Sequence, residues 1–207
     1  MNLNVRQILK EATSLQHGEI EQSMDMMSSE MSRAKYENII AKFAVFFNWV
    51  EPEIDCREDL PPKLEWNKRK KSELLARDLK VLGLAPATSN LPGEFQPPLK
   101  SLPEVLGALY VLEGSTLGGQ MLAAHFDHHF SITPVTGGAY YNAYGAQTAA
   151  LWRKYIKVLE NEIKTENELQ LAVNAAQKTF LGLNGWMCAS LEGSEQQAVE
   201  DMTTQAP

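Results

Sequence analysis

Two groups of residues in this sequence carry types and spacings that can do chemistry. The first is Gly114-Ser115-Thr116-Leu117-Gly118-Gly119, set inside a long, otherwise strongly helical pattern and preceded by Gly107. A glycine in a helix interior costs ~1 kcal/mol relative to alanine, so a segment that keeps three of them gains something from bare backbone. Gly114 and Gly118 are four apart and share one helix face. Three uses of such a face are open: close helix–helix packing, a kink, or close approach of a flat ligand that any side chain would block.

The second group is Lys10, Thr13, His17 and Glu21, at offsets of three, four and four, which form one stripe along a helix. Neutral imidazole is a good iron ligand, and a neighbouring carboxylate can fix its tautomer through the other ring nitrogen. The remaining histidines, His125, His128 and His129, cluster as HFDHH around Asp127. That spacing suits either a zinc site or the polar C-terminal end of a helix, where cations meet the negative end of the dipole. No GxSxG elbow, phosphate-binding loop or HExxH pair occurs.

The elements that must position these residues are helical almost throughout. Apolar residues recur at the 3.6-residue period from Val5 to about Ser23. A second helix is expected from Ser28 or Ser29 to a stop ahead of Pro52. A third is expected over about 67–82, with Leu74, Leu75, Leu79 and Leu82 inward and Gly83 as its stop. Four prolines in residues 85–100 mark an ordered surface loop. Ser101 then caps a helix entered through Pro103, which runs through the glycine segment. After a turn at about 133–138, two more helices are expected over about 143–164 and 168–191. The reading is all-α: a single-domain helical bundle of six to eight helices over residues 1–191, with a polar, frayed tail over 192–207.

Composition narrows the function. The chain has 207 residues, 44% hydrophobic and 22% charged, with a net charge of −7. An acidic balance argues against nucleic acid as a partner, because phosphate binding needs a basic footprint. The one basic cluster, Lys68 to Lys71, reads as a solvated helix start. No apolar run reaches the ~20 residues of a membrane span, and the N-terminus shows no signal-peptide pattern. Cys56 and Cys188 are far apart, so reduced thiols in the cytoplasm are expected.

Leu9 to His17 (LKEATSLQH) followed by Glu21, with Tyr110 to Gln120 (YVLEGSTLGGQ) about a hundred residues later, resembles the haem oxygenase family. The EGSTLGG form looks most like the bacterial subgroup found beside bacteriophytochromes, and the segments AYGAQTAALWRKYIKVL and AAQKTFLGLNGW resemble the family's C-terminal helices. The resemblance covers roughly residues 5–191 and implies the haem oxygenase-like helical bundle. It makes His17 the proximal iron ligand and the Gly114–Gly119 segment the distal wall, with Gly114, Gly118 and Gly119 against the porphyrin. It sets Lys10, Arg153 and Lys157 against the haem propionates, Thr13 and Glu21 on the proximal wall, and Phe180 against the ring. Gly114, Ser115, Thr116 and Gly118 would line the reacting side, with Ser115 where many members carry an aspartate.

The implied reaction is cleavage of haem, both cofactor and substrate, by O2 and electrons to biliverdin, carbon monoxide and free iron. The electron donor would be external, such as ferredoxin or a flavin reductase. A bacteriophytochrome is the implied recipient of the product. The competing reading is a non-catalytic haem or bilin binding protein of the same fold.

Overall fold

The structure is a computed structural model, and it describes residues 4–88 and 90–189. Seven α-helices account for its architecture: α1 (Val5–Ala12), α2 (Ser14–Met24), α3 (Arg33–Asp55), α4 (Ser72–Leu82), α5 (Leu102–Phe130), α6 (Thr148–Glu162) and α7 (Glu166–Cys188). Short 3-10 turns fill the connections, and no strand occurs among the described residues. No helix among these residues is long and apolar enough to cross a membrane. The expected end of the last helix at Leu191 and the tail from Glu192 lie outside the described residues.

The starts and stops follow from local chemistry in several places. Ser101 and Glu104 form a reciprocal capping box at the head of α5, with Pro103 in the first turn. Thr165 and Glu168 do the same for α7. Gly83 ends α4 in the left-handed conformation at φ 72°, and its amide closes on the Lys80 and Leu79 carbonyls.

Three expectations change. The N-terminal helix is broken at Thr13 into α1 and α2. The next helix begins at Arg33, capped by Ser32, whose hydroxyl accepts from the Lys35 amide, and it runs through Pro52 to Asp55. Pro52 lies in the last turn, where the lost amide and its ring disturb only the end of the ladder. The basic cluster, finally, is not a solvated helix start. α4 begins only at Ser72, and Arg69 and Lys71 are buried at 1% exposure.

α7 is the central helix. It packs against α5, against α1 and α2, and against α3. Its crossing with α5 is close because both helices are small there: Gly107 lies directly on the Ala172 backbone. α5 also packs on α6, through Leu106, Tyr110 and Gly114, and on the Tyr140–Asn142 turn, where Gly119 meets Tyr141. Phe43 and Phe47 of α3 meet Tyr140, and Tyr36 meets Phe126 and Tyr141, so one aromatic cluster ties α3 to α5.

Candidate functional site

His17 sits in the second turn of α2 with its side chain 57% exposed. Its Nδ1 lies 3.4 Å from Glu21 Oε2, one turn on. Glu21 is thus the carboxylate nearest the ring, on the Nδ1 side, and the imidazole is open to solvent. From α7, Phe180 meets the imidazole edge-on, with ring centroids 5.6 Å apart. Phe180 is itself buried, so one side of the histidine is fixed by packing and the other is open.

The remaining members of the stripe separate. Lys10 is exposed in the last turn of α1 and makes no ion pair among the described residues. Thr13 turns inward at the helix break, 3% exposed, and its hydroxyl donates to the Leu9 carbonyl at 2.7 Å. Thr13 is thus buried where Lys10, His17 and Glu21 are exposed, so the four do not form a single face.

The glycines of α5 divide into two kinds. A Cβ on Gly107 would fall 2.1 Å from the Ala172 carbonyl oxygen, which makes this glycine a packing residue. A Cβ on Gly114 would make ordinary contact with the Trp152 ring at 3.7 Å, and one on Gly119 would lie 3.4 Å from the Tyr141 carbonyl oxygen. Gly118 meets nothing within 4 Å, and neither does Gly18 beside His17. Exposed apolar side chains accompany both open positions: Leu15 near His17, and Leu117 and Met121 around Gly118. Bare backbone beside exposed apolar side chains on α5, and an exposed imidazole on α2, are each features that a flat, largely apolar ligand carrying a metal would use.

Ser115 and Thr116 spend their hydroxyl protons on the helix itself. Ser115 Oγ donates to the Leu112 carbonyl at 2.8 Å and Thr116 Oγ1 to that of Glu113 at 2.6 Å. Each oxygen then remains only as an acceptor. Two successive hydroxyls bonded back onto the preceding turn favour bending at this point of the helix.

Arg153 and Lys157 are exposed on α6 and, among the described residues, form no ion pair. Arg153 follows Trp152, the residue over Gly114. Lys157 borders a surface groove with Lys63, Glu65 and Lys154. The HFDHH histidines lie against one another at the end of α5: the His125 and His129 rings are tilted with centroids 4.4 Å apart, and His128 and His129 meet edge-on at 4.7 Å. No group of three or more metal-binding side chains gathers among the described residues.

Sequence reasoning missed the polar hub behind the glycine segment. Glu113, immediately before Gly114, is buried and pairs with Arg69. Its other oxygen accepts from Tyr144 at 2.7 Å, and Lys71 Nζ donates to the same Tyr144 hydroxyl at 2.6 Å. Burial pushes the Lys71 ammonium below its ordinary pKa, with Glu113 opposing that shift, and burial lifts the Tyr144 phenol far above its own. The signal was present as a carboxylate in the apolar run Val111-Leu112-Glu113, which needs a cation from elsewhere once that face is buried.

Known proteins sharpen this geometry. Residues 3–189 match the family described as Heme oxygenase. A haem oxygenase from Xanthomonas campestris pv. campestris is 30% identical over 125 residues, 56% of this chain and 66% of that protein's length. Two solved structures share the fold at lower identity. One is the NO- and CO-bound haem oxygenase of Neisseria meningitidis, with a TM-score of 0.73 and 19% identity over 92% of this chain and 96% of that one. The other is the haem oxygenase of Leptospira interrogans, with a TM-score of 0.74 and 18% identity over 89% and 98%. A family match that runs through α1 to α7 and takes in both the His17 helix and the glycine helix makes this chain a member of the haem oxygenase family.

Proposed function

We propose that this protein is a haem oxygenase that opens haem to biliverdin, carbon monoxide and free iron, using O2 and electrons from an external donor. The observation that carries this reading is the exposed imidazole of His17, with Glu21 3.4 Å from its Nδ1 and Phe180 edge-on against its ring. Haem, when bound, supplies the iron that takes up O2 and the macrocycle that is cleaved. The protein's share is binding and orientation. His17 would hold the iron, and Glu21, one turn on, would orient its ring and support its basicity. Phe180 limits rotation of the imidazole. Gly118, with open space over it, would admit the face of the ring, Gly114 keeps Trp152 close one turn before, and Leu117 and Met121 would shed water on docking.

Lys10 and Arg153, exposed and without an ion pair among the described residues, would meet the propionates, and Lys157 would extend the same charge along α6. Ser115 and Thr116, with their protons engaged, accept hydrogen bonds from water on the reacting side. The setting is the cytoplasm, a ferredoxin or flavin reductase the donor, and a bacteriophytochrome the acceptor of the bilin.

Haemin titrated into the purified protein, followed by ascorbate or reduced ferredoxin in air, tests this. A histidine-ligated Soret band that decays into biliverdin absorption is the expected result. A stable band with no product under either donor means a haem-binding protein without turnover, and no Soret shift at all removes haem from the account.

A further inference from the structure

The break between α1 and α2 is made by side chains, since neither glycine nor proline occupies it. α1 stops at Ala12 and α2 starts at Ser14, so the ladder that would carry the amides of residues 14–16 back to the carbonyls of residues 10–12 is interrupted. Two side chains take carbonyls released there. Ser14 Oγ donates to the Glu11 carbonyl at 2.9 Å. Gln177 Nε2, from the middle of α7, donates to the Ala12 carbonyl at 2.7 Å across 165 residues of sequence. A donor inserted into the helix ladder is one of the few features that kink a helix sharply.

Gln177 lies one turn before Phe180, whose ring touches His17, and one turn further along α7 Asn184 accepts from Ser23 of α2. α7 therefore grips the proximal helix at its break, at the imidazole and near its end. On a straight helix Lys10 and His17 would be two turns apart at a fixed angle. Across a break, their separation and relative tilt depend on the hinge, and a ligand seated on both residues reads that angle.

We propose that Gln177 is a positioning residue: by holding the Ala12 carbonyl it sets the direction of α2, and with it the tilt of His17 relative to Lys10. The proposal rests on His17 being the iron ligand. Gln177 touches neither the imidazole nor the ammonium among its hydrogen bonds, and it acts only through the hinge.

The test compares Gln177→Glu, which keeps the shape but replaces the donor with an oxygen that repels the Ala12 carbonyl, with Gln177→Leu and Gln177→Lys. Lysine restores an N–H donor of comparable reach. The readouts on haem-loaded protein are the iron–histidine stretching band of the ferrous form and the ratio of biliverdin isomers. The Gln177→Glu and Gln177→Leu proteins, checked for folding by circular dichroism, are expected to shift the band and to mix the isomers. Turnover in both falls on the order of ten- to a hundredfold, and Gln177→Lys returns band and isomer ratio toward wild type. A wild-type band and isomer ratio in either folded donor-less variant overturns the proposal. Should the wild-type protein itself show no iron–histidine band, the ligand reading beneath it fails, which His17→Ala checks separately.

Discussion

Gly107 and Ala172 are in backbone contact where α5 packs on α7: a Cβ on the glycine would stand 2.1 Å from the alanine's carbonyl oxygen. Eleven residues further along the same helix, Gly118 has nothing within 4 Å. One helix thus holds glycine for two unrelated reasons, and alanine substitution separates them. Gly107→Ala must push α5 off α7, and overpacking of this kind destabilises by about 1–3 kcal/mol. Gly118→Ala is expected to stabilise the haem-free chain by about 0.5–1 kcal/mol, because a helical glycine is replaced without a clash. Its haem affinity is expected to fall. Thermal melts with and without haemin check both, and a Gly118→Ala protein that binds haem as well as wild type would remove this face from the site.

His17 projects into solvent, so His17→Ala should leave the melting curve of the haem-free protein within about 0.5 kcal/mol of wild type. The imidazole-ligated absorption spectrum should vanish. Glu21→Gln keeps the ligand but weakens its orientation, and loss of such a partner typically lowers metal affinity by about 10–100-fold. Titration of haemin into the two variants distinguishes a ligand from its support. Equal affinities across wild type and both variants would sink the assignment.

The parts of this fold legible in sequence are those that local chemistry decides. Ser101, Pro103 and Glu104 announce the head of α5, and Gly83 the end of α4, because each cap closes within a few residues. The glycine segment and the His17–Glu21 pair could be singled out for the same reason, since residues four apart in one helix share a face, whereas the line back to Lys10 and Thr13 does not survive the break. The break at Thr13 was not legible, because the donor that holds it, Gln177, is supplied by α7. Arg69 and Lys71 likewise read as surface charge until α5 brings Glu113 to them. Pro52 misled in the opposite sense: it signals a stop, yet in the last turn it removes little that the helix needs.

Glu113 holds its cations in a place water does not reach. Glu113→Ala would leave Arg69, fully buried, and Lys71 facing no carboxylate from α5. Removing one partner of a buried pair destabilises by about 3–5 kcal/mol, since the remaining charge stays desolvated. The loss should change little between low and high salt, because buried pairs are poorly screened. Chemical denaturation of Glu113→Ala at two ionic strengths measures this. A loss that shrinks markedly with added salt would mean that the pair is solvated.

Glu65 provides the contrast at the surface and a pH signature of its own. It stands in the left-handed region at φ 50°, between Lys68 and Lys154, and its hydrogen bonds to both hold its carboxyl at about 2 instead of the ordinary 4.5. A carboxylate whose pKa is depressed by folding binds protons less readily in the native than in the unfolded chain. Its contribution to stability is therefore complete above about 4.5 and is lost as the pH falls toward about 2. Both lysines reach it through solvent, so added salt should weaken the effect. Glu65→Gln is expected to melt closer to wild type at pH 3 than at pH 7, and closer at high salt than at low. The melting temperatures of the two proteins along a pH series decide it: a gap that widens on acidification would show that the lysine pairs do not stabilise this turn.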